Sequence, residues 1–192
     1  NIGETVSFKG VEMKVQNVMP YTVYKQTSVK TLSVSHAGDI GNYAFYGCTG
    51  ITDATISNGG NIGERAFYGC TGITDASISN EGNIGEGAFQ GAMTSGNAVL
   101  KVSSKGDIGD NAFYGCTGIT NATISNEGNI GEGAFQGAMT SGNAVLKVSN
   151  KGDIYPKVFY GCTGITDATI SNEGNIGESA FSRCSSLKTI EI

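Results

Sequence analysis

Tryptophan is absent from the 192 residues, proline occurs twice, histidine once, and charged side chains make up only 15% of the chain. Each scarcity closes off a kind of chemistry. The lone histidine, His36, has no second histidine, no Cys–His pairing and no Gly-x-Ser-x-Gly elbow beside it, so the base and orienting partner of nucleophilic catalysis are missing. We therefore expect no enzyme and name no catalytic residue. The glycine-rich stretches never form a phosphate loop, because no Gly-Lys-Ser/Thr occurs. With 12 Lys and Arg against 17 Asp and Glu, and no basic run, the chain lacks the footprint of a nucleic-acid binder. Apolar runs are a few residues long, far short of a membrane span. No secretory signal is visible, and residue 1 is Asn rather than Met, which reads as a processed or trimmed piece.

What is abundant is glycine, 30 residues, and order. The stretch Gly60-Asn61-Ile62-Gly63-Glu64-Arg65-Ala66-Phe67-Tyr68-Gly69-Cys70 recurs seven times with small edits, its isoleucine falling at Ile40, Ile62, Ile84, Ile108, Ile130, Ile154 and Ile176. The intervals are 22 or 24 residues, and a fixed period in this range marks a stacked repeat architecture. We expect residues 31–192 to form a solenoid of about seven coils, and residues 1–30, which alternate apolar and polar around Lys9-Gly10, to form an N-terminal β-hairpin cap. Asn1-Ile2-Gly3-Glu4 echoes the motif without the columns that follow it. Met19-Pro20-Tyr21 reads as a turn between cap elements. The chain stops at the end of a strand, which reads as an uncapped or truncated C-terminal end, open to self-association.

Within a coil, Asp53-Ala54-Thr55-Ile56-Ser57 alternates strictly, which places Ala54 and Ile56 inward and Asp53, Thr55 and Ser57 outward on one short strand. Stacked coils then form a parallel sheet. A Gly-Asn or Gly-Asp turn follows; the glycine is read as a positive-φ position, and the stacked Asn and Asp as a ladder satisfying loop amides. No EF-hand or nonapeptide calcium spacing supports a metal there, and no cofactor is implied elsewhere. Next, Ile62, Ala66, Phe67 and Cys70 fall at helical offsets, which predicts a one- to two-turn helix ended by Gly69. The acidic column Glu64, Glu86, Asp110, Glu132 and Glu178 would favour that helix's N-terminus, with a surface calcium column as the remote alternative. The column Phe45, Phe67, Phe89, Phe113, Phe135, Phe159 and Phe181 reads as the core spine. Cys48, Cys70, Cys116, Cys162 and Cys184 share a column with Ala92 and Ala138, so they read as small buried apolar groups. No CxxC pair or zinc spacing exists. A disulfide between stacked neighbours such as Cys48 and Cys70 is the minor alternative in an oxidising compartment.

The coils containing Lys101 and Lys147 are two residues longer. Residues 66–108 and 112–154 are one 43-residue segment with three changes, Asp75/Asn121, Ser77/Thr123 and Ser104/Asn150. Recent tandem duplication suits a spacer or a display surface better than an active site, which needs unlike residues at unique positions. The outward strand face is the leading candidate contact surface, with Asp53, Asp75, Val99, Asn121, Val145 and Asp167 in one column and Thr55, Ser77, Lys101, Thr123, Lys147 and Thr169 in the next; Asp53, Asp75 and Asp167 of the first and all six of the second are the candidate contact residues. The same face reads equally as a solvated sheet. Tyr46, Tyr68, Tyr114 and Tyr160, which follow the core phenylalanines, are a second candidate patch.

The pattern Ile-Gly-x-x-Ala-Phe-x-Gly-Cys-x-x-Ile/Leu-x-x-Ala/Ile-x-Ile, seen in Ile62 to Ile78 and Ile176 to Ile192, resembles the BspA-like (Treponema pallidum-type) leucine-rich repeats over about residues 29–192. The chain departs from them in using Ile and Ala where Leu is usual, and in its 24-residue coils. The resemblance implies an α/β leucine-rich-repeat solenoid, a right-handed superhelix with one short parallel strand and one short helix per coil. It also implies a non-enzymatic cell-surface or secreted binding protein, adhesin-like, whose partner is a protein or glycan on a host or neighbouring cell. The alternative is a structural spacer or display stalk for another domain. Fold alone does not decide between them.

Overall fold

The computed structural model describes residues 17–192 and, for the backbone alone, two strands upstream. Among the described residues ten strands form one sheet: β1 (Thr5–Phe8), β2 (Val11–Lys14), β3 (Thr31–His36), β4 (Asp53–Asn58), β5 (Asp75–Asn80), β6 (Ala98–Ser104), β7 (Ile119–Asn126), β8 (Ala144–Asn150), β9 (Ile165–Asn172) and β10 (Thr189–Glu191). The order is β10-β9-β8-β7-β6-β5-β4-β3-β1-β2. From β3 to β10 every pairing is parallel, one strand per coil. β1 pairs antiparallel with both β2 and β3, so it occupies the edge that β3 would otherwise leave open. The Lys9-Gly10 turn and the Asn1–Glu4 echo lie outside the described residues.

The alternation in the strands has its expected consequence. β4 and β5 bury every second residue, Ala54, Ile56 and Asn58 in one and Ala76, Ile78 and Asn80 in the other. The repeat isoleucines form a second, one-residue-per-coil parallel ladder, Val18–Ile40–Ile62–Ile84–Ile108–Ile130–Ile154–Ile176. Between the two ladders the phenylalanines stack at 4.7–5.4 Å between centroids from Phe45 to Phe181. This spine and the buried Ile, Ala and Cys columns make one continuous core.

The helix expected over Ile62 to Cys70 does not form; the segment is a run of turns. Its four apolar residues are buried as the offsets require, yet the backbone departs from helix twice per coil. Arg65 has φ 49° and Gly69 φ 67°, and Tyr43 and Gly47 do the same one coil earlier. A helix sends every amide back along its own chain. Here successive amides alternate. Ala66, Tyr68 and Cys70 N–H donate to Gly63, Arg65 and Phe67 O within the coil. Arg65, Phe67 and Gly69 N–H donate to Glu86, Ala88 and Gln90 O of the next. The turns are therefore stitched to their neighbours as strands are. Far-UV circular dichroism should show a β signature without the helical double minimum; helix content equal to one turn per coil would contradict this assignment.

Two further readings change. The Gly-Asn and Gly-Asp glycines (Gly60, Gly82, Gly106, Gly128, Gly152 and Gly174) are not in the left-handed region. They are needed for close approach: a Cβ on Gly82 would stand 2.6 Å from Gly60 O, and the same clash recurs along the column. The spacing also places residues 1–30 outside the repeat, but from Asn17 the chain already follows the coil path. Val18 bridges Ile40, Tyr21 and Lys25 adopt φ 58° and 54°, and Val23 N–H donates to Ala44 O. The two longer coils absorb their extra residues after Gly91 and Gly137. There Met93 and Met139 are fully buried in left-handed conformation, and Ser95 and Ser141 hydroxyls tie the loops to Thr71 O and Thr117 O at 2.8 Å.

Candidate binding surfaces

The Asn and Asp turn column forms an unbroken ladder. Each side-chain Oδ1 accepts from the backbone N–H one coil on: Asn17 to Asp39, Asp39 to Asn61, Asn61 to Asn83, Asn83 to Asp107, Asp107 to Asn129, Asn129 to Asp153 and Asp153 to Asn175, at 2.6–2.9 Å. A second, buried ladder was not legible as such. Asn58 Nδ2 donates to Asn80 Oδ1, Asn126 Nδ2 to Asn150 Oδ1 and Asn150 Nδ2 to Asn172 Oδ1, at 2.7–2.9 Å. His36 heads this column, in register with Asn58, and its Nδ1 accepts from Gly38 N–H. Histidine and the two asparagine columns thus serve the scaffold. Among the described residues no group of three or more His, Cys, Asp or Glu is placed to hold a metal ion.

The cysteines are free, and all but the half-buried Cys184 are buried. Each thiol donates to a carbonyl one coil back, Cys70 to Phe45 O and Cys116 to Phe89 O at 3.1 Å, for example. Burial pushes all five thiol pKa values above the usual range.

The acidic column caps no helix, since none is present among the described residues. Glu64 pairs with Arg65, Arg65 reaches Glu86 at 3.8 Å, and Lys157 reaches Glu132 at 3.3 Å. A second axial series runs just past the strands: Lys105 contacts Glu81 at 2.5 Å and Lys151 contacts Glu127 at 2.9 Å. Lysine pairing holds the Glu127 carboxyl below its usual pKa, so that pair's contribution is present above the unfolded carboxyl value and fades as pH falls through the lowered one. Replacing Lys105 with Glu should lower Tm modestly at low salt, and the deficit should shrink in high salt because these groups are solvent-exposed.

The outward face of the sheet assembles the sequence-derived candidates in register. Asp53, Asp75, Val99, Asn121, Val145, Asp167 and Thr189 form one column across β4–β10; Thr55, Ser77, Lys101, Thr123, Lys147, Thr169 and Glu191 form the next. The nine candidates are all exposed. A third column continues the outward position of Ser57. Ser35, Ser57, Ser79, Ser103, Ser125, Ser149 and Ser171 stand side by side without interruption. Neighbouring strands lie about 4.8 Å apart, so the second and third columns set small hydroxyls and charges at fixed points, beside a first column broken by the half-buried Val99 and Val145.

The tyrosine patch is differently composed from the sequence expectation. Tyr46 stacks on Tyr68 at 4.9 Å, but Gln90 and Gln136 separate Tyr114 and Tyr160 from it and from each other, and Tyr160 lies under Arg183. The cluster instead extends upstream. Tyr21 stacks on Tyr43 at 5.2 Å, Tyr24 on Tyr46 at 5.3 Å, and the Lys25 ammonium sits 5.0 Å from the Tyr24 ring. Arg65 donates to the Tyr43 hydroxyl, and a depression of about 340 Å³ lies among Tyr43, Tyr46, Arg65, Tyr68 and Gln90. Stacking consumes the ring faces, which leaves mainly edges and hydroxyls to solvent. The 22-residue interval from Tyr21 to Tyr43 and from Tyr24 to Tyr46 was the available signal.

Among the described residues no helix is long and apolar enough to cross a membrane. The BspA type leucine rich repeat model matches residues 17–141 and 83–192, with six copies. A search of curated proteins returns no significant match. Among solved structures, a leucine-rich repeat protein of T. pallidum is similar at TM-score 0.60 and 20% identity, over 90% of this chain and 78% of that one. A leucine-rich repeat protein of Bacteroides ovatus gives TM-score 0.45 at 17% identity (97% and 72% covered). A leucine rich cell surface protein of Faecalibacterium prausnitzii gives 0.35 at 16% (99% and 86% covered). Leucine-rich repeats generally act as scaffolds for binding other proteins. With the repeat model spanning residues 17–192 and the coil stack in place, the chain belongs to the BspA-type leucine-rich repeat family.

Proposed function

We propose that the chain is a non-enzymatic binding protein of the cell surface or extracellular space, adhesin-like, which engages a protein or glycan on a host or neighbouring cell through the outward face of its sheet. One observation carries this reading: two exposed columns of small polar and charged side chains, Thr55 to Thr169 and Ser57 to Ser171, run in register across the parallel strands, beside a third that is polar except at the half-buried Val99 and Val145. A repetitive partner meets the same groups coil after coil, so weak contacts add without a deep pocket. In this reading the cap is the strand pair ahead of the coil that begins at Asn17, with β1 against the edge of β3 and β2 beside β1. A second reading, a spacer or display stalk, is favoured by the 43-residue duplication, because adding coils changes length without changing the surface. Purified protein tested against a panel of matrix proteins and glycans separates the two. Saturable binding that is lost on substitution of the sheet face supports the first; no binding to any member, with activity confined to another domain of a longer protein, supports the stalk.

A further inference from the structure

Two kinds of lysine occupy the same pair of coils. Lys105 and Lys151 are neutralised by Glu81 and Glu127. Lys101 and Lys147, four residues earlier, point to solvent from the middle of β6 and β8 and take part in none of the ion pairs of the described residues, which use Lys105, Lys151, Lys157 and Arg65. They are in register on either side of Thr123, two strands apart, which is about 10 Å. The hydroxyls of Ser103, Ser125 and Ser149 border them in the adjacent column on one side, and Val99, Asn121 and Val145 in the column on the other. Beyond this centre the sign reverses. Asp53 and Asp75 lie on one side, Asp167 and Glu191 on the other.

We propose that the centre of the face, β6 to β8, is a site for a short segment of a linear anionic polysaccharide, laid along the coil axis with one carboxylate or sulfate at each lysine and its hydroxyls on Thr123 and the serines. The inference rests on the surface-binding reading above and names its ligand class. Three features select this occupant. The lysine spacing matches the disaccharide repeat of an extended glycan carrying one acidic group per disaccharide. The floor between the lysines supplies hydroxyl donors and acceptors suited to sugar hydroxyls. Among the described residues the outward columns of β6 to β8 carry no aromatic side chain of the kind that anchors a peptide. The flanking carboxylates confine binding to about two acidic groups, because a longer uniform polyanion meets Asp75 and Asp167.

The test uses short hyaluronan oligosaccharides, neutral oligosaccharides of equal length, and a poly-glutamate peptide, titrated into the full chain and into a Lys101→Thr, Lys147→Thr double variant. Threonine already occupies this register at Thr123 and Thr169, so the variant preserves the fold. The expected result is binding of the uronate oligosaccharide alone, weakened by salt, and lost by about tenfold in the variant, the scale of two exposed charge contacts with their hydrogen bonds. Equal binding of the neutral glycan, equal binding of the peptide, or an unchanged Kd in the variant would each overturn the assignment. If the variant and the parent bind a matrix protein of the panel equally well, this site fails while the surface-binding reading stands.

Discussion

Phe113→Ala should cost about 3–5 kcal/mol, the range for removing a fully buried aromatic side chain. Phe113 has no exposed surface and lies between Phe89 at 4.9 Å and Phe135 at 4.8 Å. The substitution removes burial, leaves a cavity, and breaks two aromatic contacts of about 0.5–1.5 kcal/mol each. Because a domain is stable by only about 5–15 kcal/mol in total, the loss is a large fraction of it. The damage should also be local at first: repeat proteins couple through nearest neighbours, so coils on either side of Phe113 should separate into two cooperative units. Phe181→Ala, at the half-buried end of the stack, should cost less. Denaturant titration with hydrogen exchange reads both effects. A loss below about 1 kcal/mol at Phe113, well under the buried-aromatic range, would show that the stack is not the core.

Thiol reactivity should be almost silent in the native protein. Cys48, Cys70, Cys116 and Cys162 have no exposed surface, and burial raises their pKa values, so the nucleophilic thiolate is both inaccessible and scarce. Modification by an aromatic disulfide reagent near pH 8 should be slowed on the order of 1,000-fold or more relative to the unfolded chain, because it must await opening. Cys184, half-buried, should react first. Denaturant should release all five thiols. Prompt native reaction at all sites, or a titre lowered by a Cys48–Cys70 disulfide, would contradict the buried, reduced column. Raising pH should accelerate Cys184 before the others, since thiolate formation is limited by desolvation at the interior positions.

The stacking was legible because the same side chains recur at a fixed interval. Ile, Ala, Phe and Cys columns identified the core, and strict alternation at Asp53–Ser57 identified the strand and its outward face. The helix was not legible, because apolar offsets of 0, 4, 5 and 8 are met equally by a turn run that buries the same residues. The counter-signal was glycine: Gly63 and Gly69 within one short segment, with Gly87 and Gly133 at the left-handed position in other coils, is a poor helix composition. The first coil was missed because Val18 and Val23 stand where other coils have Ile and Phe. Their register is visible only once Tyr21 and Tyr24 are aligned with Tyr43 and Tyr46. On the outward face, Asp53, Thr55 and their column partners were found from alternation alone. Ser57 was placed outward by the same alternation, but the unbroken run of serines from Ser35 to Ser171 emerges only when seven strands are set in register.

The most direct test of the proposed recognition face is a comparison of paired surface variants against the first macromolecular ligand found in the panel. Thr123→Glu with Ser125→Glu places two carboxylates at the centre of the sheet face without touching the core, and Tyr46→Ser with Tyr68→Ser strips the tyrosine edge instead. Recognition by the sheet face requires that the first pair abolish binding while circular dichroism and Tm stay near those of the parent, and that the second pair leave Kd within about threefold, the margin expected for contacts outside the interface. Binding that survives the glutamate pair and disappears with the tyrosines would contradict the account and move recognition to the turn side of the coils.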